Sequence, residues 1–142
     1  RSCIHKDYRG GLGLMHLWQA LAAYVEEHNI AYLFGVASFA GTNLVSHDNS
    51  LKLLHKNHLA PRDIRPVVKG GKKYDPEQIL DRDIDQRAAM VSMPSLIKAY
   101  LRMGGVIGSG AYIDDDFQTV DVCMILETAQ LTARQRAMLG TG

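Results

Sequence analysis

Three glycines in four positions, Gly10, Gly11 and Gly13, stand between the short apolar lead-in Cys3-Ile4-His5 and a segment whose apolar residues recur at helical spacing from Leu14 onward. That junction demands a strand end, a tight turn and a helix start, in that order. Glycine lets the backbone approach a ligand without side-chain obstruction, and the first turn of a helix leaves N–H groups unpaired at the positive end of its dipole. Such a combination binds phosphate. A glycine cluster also serves ordinary strand-to-helix turns, so its meaning depends on the rest of the chain.

Leu14, Leu17, Trp18, Leu21 and Val25 recur at three- and four-residue spacing, which predicts an amphipathic helix closed near Asn29. Ala31 to Phe39 is a continuous apolar run and predicts a strand covered on both faces. Strand, helix, strand implies a right-handed crossover and a parallel pair between residues 2–4 and this strand. After the turn-like Gly41-Thr42-Asn43, a short helix carrying Leu51, Leu54, His58 and Leu59 ends before Pro61. Residues 61–91 read as an irregular insertion. Lys52, Lys56, Arg62, Arg65, Lys69, Lys72 and Lys73 form a basic stretch broken only by Asp63, and five acidic residues follow between Asp75 and Asp85. A third helix runs from Pro94 to Gly104-Gly105, and two strands, Val106 to Ile113 and Thr119 to Leu126, flank the turn Asp114 to Gln118.

At 142 residues the chain has the size of one domain. A formal net charge of +1 argues against a nucleic-acid partner, and no apolar run approaches the about 20 residues that span a bilayer. Cys3 and Cys123 both fall in apolar, strand-like segments, as buried thiols in a reducing, cytoplasmic compartment would. The first residue is Arg and the first segment reads as the middle of a strand, so further chain is expected upstream.

The blocks Arg1 to Gly11, Tyr32 to Phe39, Pro94 to Gly104 and Ile113 to Val122 resemble, in this order, the L-ornithine Nα-acyltransferase family, often labelled hemolysin-like, within the GNAT acyltransferase superfamily. The resemblance implies an α/β (α+β) GNAT-like fold, a mixed central sheet flanked by helices, with its N-terminal half missing from these residues. It also implies transfer of a 3-hydroxy fatty acyl group from acyl carrier protein to the α-amine of ornithine, giving lyso-ornithine lipid. No tightly bound cofactor is implied; the phosphopantetheine thioester of the carrier, or acyl-CoA, is a co-substrate. Two other readings keep part of this picture: a non-catalytic phosphopantetheine-binding module, and an acetyl-CoA enzyme with another amine acceptor. The superfamily turn reads Arg-x-x-Gly-x-Gly or Ala, whereas Leu12 stands where the first of those glycines belongs, so the turn is one residue shorter.

Carried onto this chain, the resemblance assigns the donor phosphate to Arg9, Gly10, Gly11, Leu12 and Gly13, and the thioester and pantetheine lining to Cys3, Ile4, His5 and Ser38. Tyr100, four residues before Gly104, has the spacing of the superfamily's general acid; a core aromatic is the plainer reading of the same residue. Arg102 and Asp121 are weaker candidates for acceptor binding. Strand alternation puts Asp121 on one face with Cys123 and Ile125, where a carboxylate needs a partner. That partner is either the ornithine side-chain ammonium or a structural group such as Arg102. Asp114, Asp115 and Asp116 read as turn formers. His55 and His58 share a helix face without a third ligand, so no metal site is expected. The basic stretch suits the acidic surface of a carrier protein or an anionic membrane surface at the inner face of the membrane.

Overall fold

In the computed structural model, which describes residues 4–75 and 83–131, the glycine turn leads into a helix as expected. A 3-10 turn at Lys6–Tyr8 precedes α1 (Gly13–Glu27), and Asn29 closes it in the left-handed conformation, with φ of 51°. There follow β1 (Tyr32–Ala40), α2 (Leu44–Asn57), β2 (Lys73–Tyr74), α3 (Gln86–Ser92), α4 (Ser95–Arg102), β3 (Val106–Ile107), β4 (Ala111–Asp114) and β5 (Thr119–Glu127). The architecture is mixed α/β. By compactness the chain divides into residues 1–33 with 127–142, and residues 34–126.

The sheet has the order β1-β5-β4-β2, with β3 also on β5. β5 pairs antiparallel with β4 and β3, and β4 with β2. β1 also runs against β5, because the Gly41 N–H donates to Gln118 O at 2.8 Å and the Thr128 N–H to Ala31 O at 3.0 Å. Counting in from Gly41 and Gln118 sets Ser38 opposite Asp121, and Phe39 and Ala37 opposite Val120 and Val122. The last four share the core with Leu51, Leu54, Ile97 and Ile107, so the alternation agrees with the register. Of the parallel neighbour expected for β1 over residues 2–4, residues 2 and 3 lie outside the described residues and Ile4 belongs to no strand.

Three expectations need correction. β1 is not covered on both faces: Phe34 and Val36 are 81% and 70% exposed, while Phe39 is fully buried. A continuous apolar run cannot distinguish a strand buried on two faces from one whose outer face is left open, because its pattern lacks the alternation that would reveal a solvent side. The segment 61–91 is less irregular than its composition suggests. It contributes β2 and α3, and Leu59 and Val67 form isolated parallel bridges to Ile107 and Ser109. The strand expected over Val106 to Ile113 breaks at Gly108–Gly110 into β3 and β4, with Gly110 at φ of 85°.

Helix α2 starts at Leu44, behind Asn43, whose side chain accepts from the Val45 N–H at 3.0 Å, seven residues earlier than the apolar spacing from Leu51 shows. Its first half is polar yet partly buried, which hides it from a hydrophobic pattern. Each buried polar group there has a partner. His47 Nε2 lies 3.0 Å from Gly41 O, Ser50 Oγ donates to Ala89 O at 2.7 Å, and Lys52 pairs with Asp48. His55 Nδ1 is 2.7 Å from Leu51 O, which can only accept, and Nε2 is 3.0 Å from the Gly110 N–H, which can only donate. The ring is therefore neutral, with its proton on Nδ1. Burial lowers its pKa, outweighing the bond to Leu51, which raises it; burial lowers that of His58 too. An unfolded chain thus binds protons that the folded chain refuses below about pH 6.5. The His55 contribution to stability is complete above that pH and is lost as pH falls toward the depressed folded value. Urea midpoints measured from pH 8 to 5 should fall on the acid side, and His55→Gln should flatten the fall, leaving the share of His58.

Candidate functional site

The glycine turn is built by local contacts. His5 Nδ1 accepts from the Asp7 N–H at 3.4 Å, and Arg9 Nε donates to Ile4 O at 2.9 Å, so Arg9 braces the loop at its base. Gly10 adopts φ of 83°, and a Cβ on Gly13 would lie 3.0 Å from the Tyr8 carbonyl oxygen. Both conditions favour glycine. Helix α1 begins at Gly13 after Leu12, which provides no side-chain cap. The N–H groups of Gly13, Leu14 and Met15 have no carbonyl one turn back within the helix, which leaves a cluster of donors at a dipole end. A Cβ on Gly11 would meet nothing within 4 Å. Arg9 and residues 10–13 are exposed or half-buried, as a ligand-facing turn requires. His5 is exposed beside Tyr8, with ring centroids 6.3 Å apart. Ile4 supplies the carbonyl that Arg9 holds; Cys3 lies outside the described residues.

Within residues 34–126, Tyr100 sits on α4 against the core formed by Ile97, Met93 and their neighbours, and is half-buried. Burial raises the pKa of its phenol, which keeps the proton on oxygen at neutral pH. The helix stops just beyond it. Gly104 N–H donates to Leu101 O at 3.0 Å, and Gly105 N–H to Tyr100 O at 2.9 Å. A Cβ on Gly105 would lie 2.8 Å from that same carbonyl oxygen, so the pair Gly104-Gly105 fixes where the Tyr100 turn ends. Arg102 is exposed at the last turn of α4.

Asp121 lies on the face of β5 turned away from the core. Its Oδ1 is buried and has no hydrogen-bond partner, as is Thr119 Oγ1 two residues before it. Thr119 is thus a further candidate beside Asp121, and its i, i+2 spacing, which places both on one strand face, is the sequence signal for it. Tyr112 stands opposite Asp121 on β4, and Ser38 opposite on β1. Cys123, on the same face, is a free thiol whose pKa burial pushes up, which keeps it in the poorly nucleophilic thiol form.

The acidic turn is a turn, as expected: Asp114 Oδ1 accepts from the Asp116 and Phe117 N–H groups at 3.0 and 2.9 Å. Among the described residues no group of His, Cys, Asp and Glu has the arrangement of a metal site. The basic stretch divides. Lys52 is buried against Asp48 and Arg65 Nε donates to Ala60 O at 2.7 Å, whereas Lys56, Arg62, Lys69, Lys72 and Lys73 are exposed. Lys72 meets Asp115 at 2.6 Å, and this ion pair raises its pKa. No described helix is long and apolar enough to cross a membrane.

A mixed α/β chain with an uncapped helix behind a glycine turn and a half-buried phenol is consistent with an acyltransferase-like fold. The particular relationship comes from comparison of whole sequences. The chain is 45% identical over 136 residues to the L-ornithine Nα-acyltransferase of Rhodobacter capsulatus, covering 96% of this chain and 52% of that one. It is 36% identical over 143 residues to the enzyme of the same name from Brucella abortus, covering 99% and 50%. With that from Agrobacterium fabrum it shares 33% over 140 residues, covering 99% and 48%. The chain is thus a homologue of the L-ornithine Nα-acyltransferases and matches their C-terminal part. It spans about half the length of the curated relatives it matches. No family model matches it, and no solved structure matches it significantly.

Proposed function

We propose that the protein, at the length of its relatives, is a GNAT-type N-acyltransferase that moves a 3-hydroxy fatty acyl group from acyl carrier protein to the α-amine of ornithine, forming lyso-ornithine lipid. The observation that carries this reading is the match of nearly the entire chain to relatives named for Nα-acyl transfer to L-ornithine. The chemistry of the candidate residues supports it. The donor's phosphopantetheine phosphate lies on the N–H groups at the start of α1, with Arg9 bracing the turn. The neutral α-nitrogen attacks the thioester carbonyl carbon. The tetrahedral intermediate collapses, the carbon–sulfur bond breaks, and Tyr100 passes its phenolic proton to the departing thiolate. The proton lost by the amine returns through solvent to the phenolate, so the balance is thioester plus amine to amide plus thiol. No covalent enzyme intermediate is required.

The exposed cations of the basic stretch dock the acidic carrier, and the reaction takes place in the cytoplasm, where the lipid product passes to the inner face of the membrane. Replacing Lys69, Lys72 and Lys73 together by Glu should weaken carrier binding by about 10-fold or more at low salt, with the difference shrinking as salt approaches 0.5 M. Titration of the carrier followed by fluorescence anisotropy checks this; unchanged affinity at low salt would remove the stretch from the docking surface. The function itself is tested by incubating the relatives-length protein with 3-hydroxyacyl carrier protein. Release of the carrier thiol should depend on added ornithine. Release that ignores ornithine, or none at all, counts against the reading.

A further inference from the structure

Of three polar side chains on one sheet face, Ser38 on β1 and Thr119 and Asp121 on β5, the last two each hold an oxygen that has no hydrogen-bond partner. Two of their oxygens, Thr119 Oγ1 and Asp121 Oδ1, are also shut away from water. Ser50, Lys52, His47 and His55, buried elsewhere, all have partners, and the one other buried oxygen without a partner among the described residues is the Tyr74 hydroxyl, alone on β2. A carboxylate oxygen taken out of water without a donor is expensive, and only here does a second bare oxygen, the Thr119 hydroxyl two residues along the same face, accompany it. Two bare oxygens on one strand face, with the Ser38 hydroxyl on the facing strand, suit one compact donor with several hydrogens and a positive charge. An ammonium has that form, with three N–H donors. Directly opposed residues on antiparallel strands keep their Cβ atoms about 5 Å apart, so Ser38 and Asp121 can reach one such group between them.

We infer that Asp121, with Thr119 and Ser38, binds the side-chain ammonium of a basic amino-acid acceptor. This deepens the proposed function and rests on it. The reacting α-nitrogen has to be neutral to attack, and a buried carboxylate favours the protonated form of any amine beside it. The site therefore suits the ammonium that does not react. It selects diamino acids over neutral ones and directs acylation to the α-nitrogen, because the distal nitrogen is held charged. Asp121 touches substrate in this account but takes no part in the chemistry.

The test compares ornithine with norvaline, which has the same carbon chain and α-amine but no distal ammonium, using the relatives-length protein and its Asp121→Asn variant. The ornithine-to-norvaline ratio of kcat/KM should fall by about 10- to 100-fold in the variant, carried by KM for ornithine. An equal loss for both acceptors, or no change in the ratio, overturns the assignment. Should the Asn variant fail to fold, Thr119→Val serves in its place, with a smaller loss confined to ornithine expected. Calorimetric binding of the two amino acids to the same proteins keeps the question separate from turnover. If neither amino acid is acylated but ornithine binds in preference to norvaline and Asp121→Asn abolishes that preference, the ammonium site stands and the acyl-transfer reading falls. Equal binding of both to the parent protein overturns the site.

Discussion

Tyr100→Phe should lower kcat for acyl transfer by about 100-fold or more in the relatives-length protein, and should leave the urea midpoint and the affinity for acyl carrier protein nearly unchanged. The substitution removes only the phenolic oxygen. The ring, which packs against the core on α4, stays in place, as do the backbone bonds from Gly105 and Met103 to the Tyr100 carbonyl. Burial holds the phenol in its protonated form, so the proton is present when the thiolate leaves. Protonation of the attacking amine should limit activity on the acid side, while the decline at high pH should follow ionisation of the raised phenol, and Tyr100→Phe should abolish that alkaline limb. Stopped-flow measurement of thiol release separates the outcomes. A large loss of kcat with an unshifted midpoint supports the acid role. A destabilised protein of normal turnover would make Tyr100 a core aromatic and nothing more.

Phe39→Ala should cost about 3–5 kcal/mol, a large part of the roughly 5–15 kcal/mol that stabilises an ordinary domain. Phe39 is fully buried on the core face of β1, opposite Val120, with its ring centroid 5.1 Å from that of His47. Its neighbours belong to β5 and α2 and cannot close over the space an alanine leaves. Phe34, five residues earlier on the same strand, is 81% exposed, and Phe34→Ala should change stability by less than about 0.5 kcal/mol. Urea unfolding of both variants measures the contrast. Equal costs would mean that the two faces of β1 are buried alike.

That contrast also shows what could be read from residues alone. Glycine spacing located the turn before α1, and Pro94 with Gly104-Gly105 bracketed α4, because punctuation by these residues acts locally. The start of α2 was missed for the opposite reason. Its signal is the Asn43 cap, and the polar residues that follow are paid for by tertiary partners such as Ala89 and Gly41, which lie elsewhere in the chain. β2 has two residues and is defined by pairing with β4, so no periodicity marks it. On the site, Asp121 was conspicuous as a carboxylate on an apolar strand. Thr119 was not, since a threonine in a strand is ordinary and only the missing partner makes it informative. Lys52 was counted with the surface cations because charge runs carry no record of which members fold inward against an Asp one turn away.

The most direct measurement of the central claim is to supply the relatives-length protein with 3-hydroxyacyl carrier protein and ornithine carrying isotope in its α-nitrogen, then to locate the acyl group by fragmentation of the lipid product. Labelled nitrogen in the amide is the result expected from the relationship to the L-ornithine Nα-acyltransferases and from a distal ammonium held by Asp121. Acylation at the distal nitrogen, or no labelled lipid from protein that still binds the carrier, would contradict it.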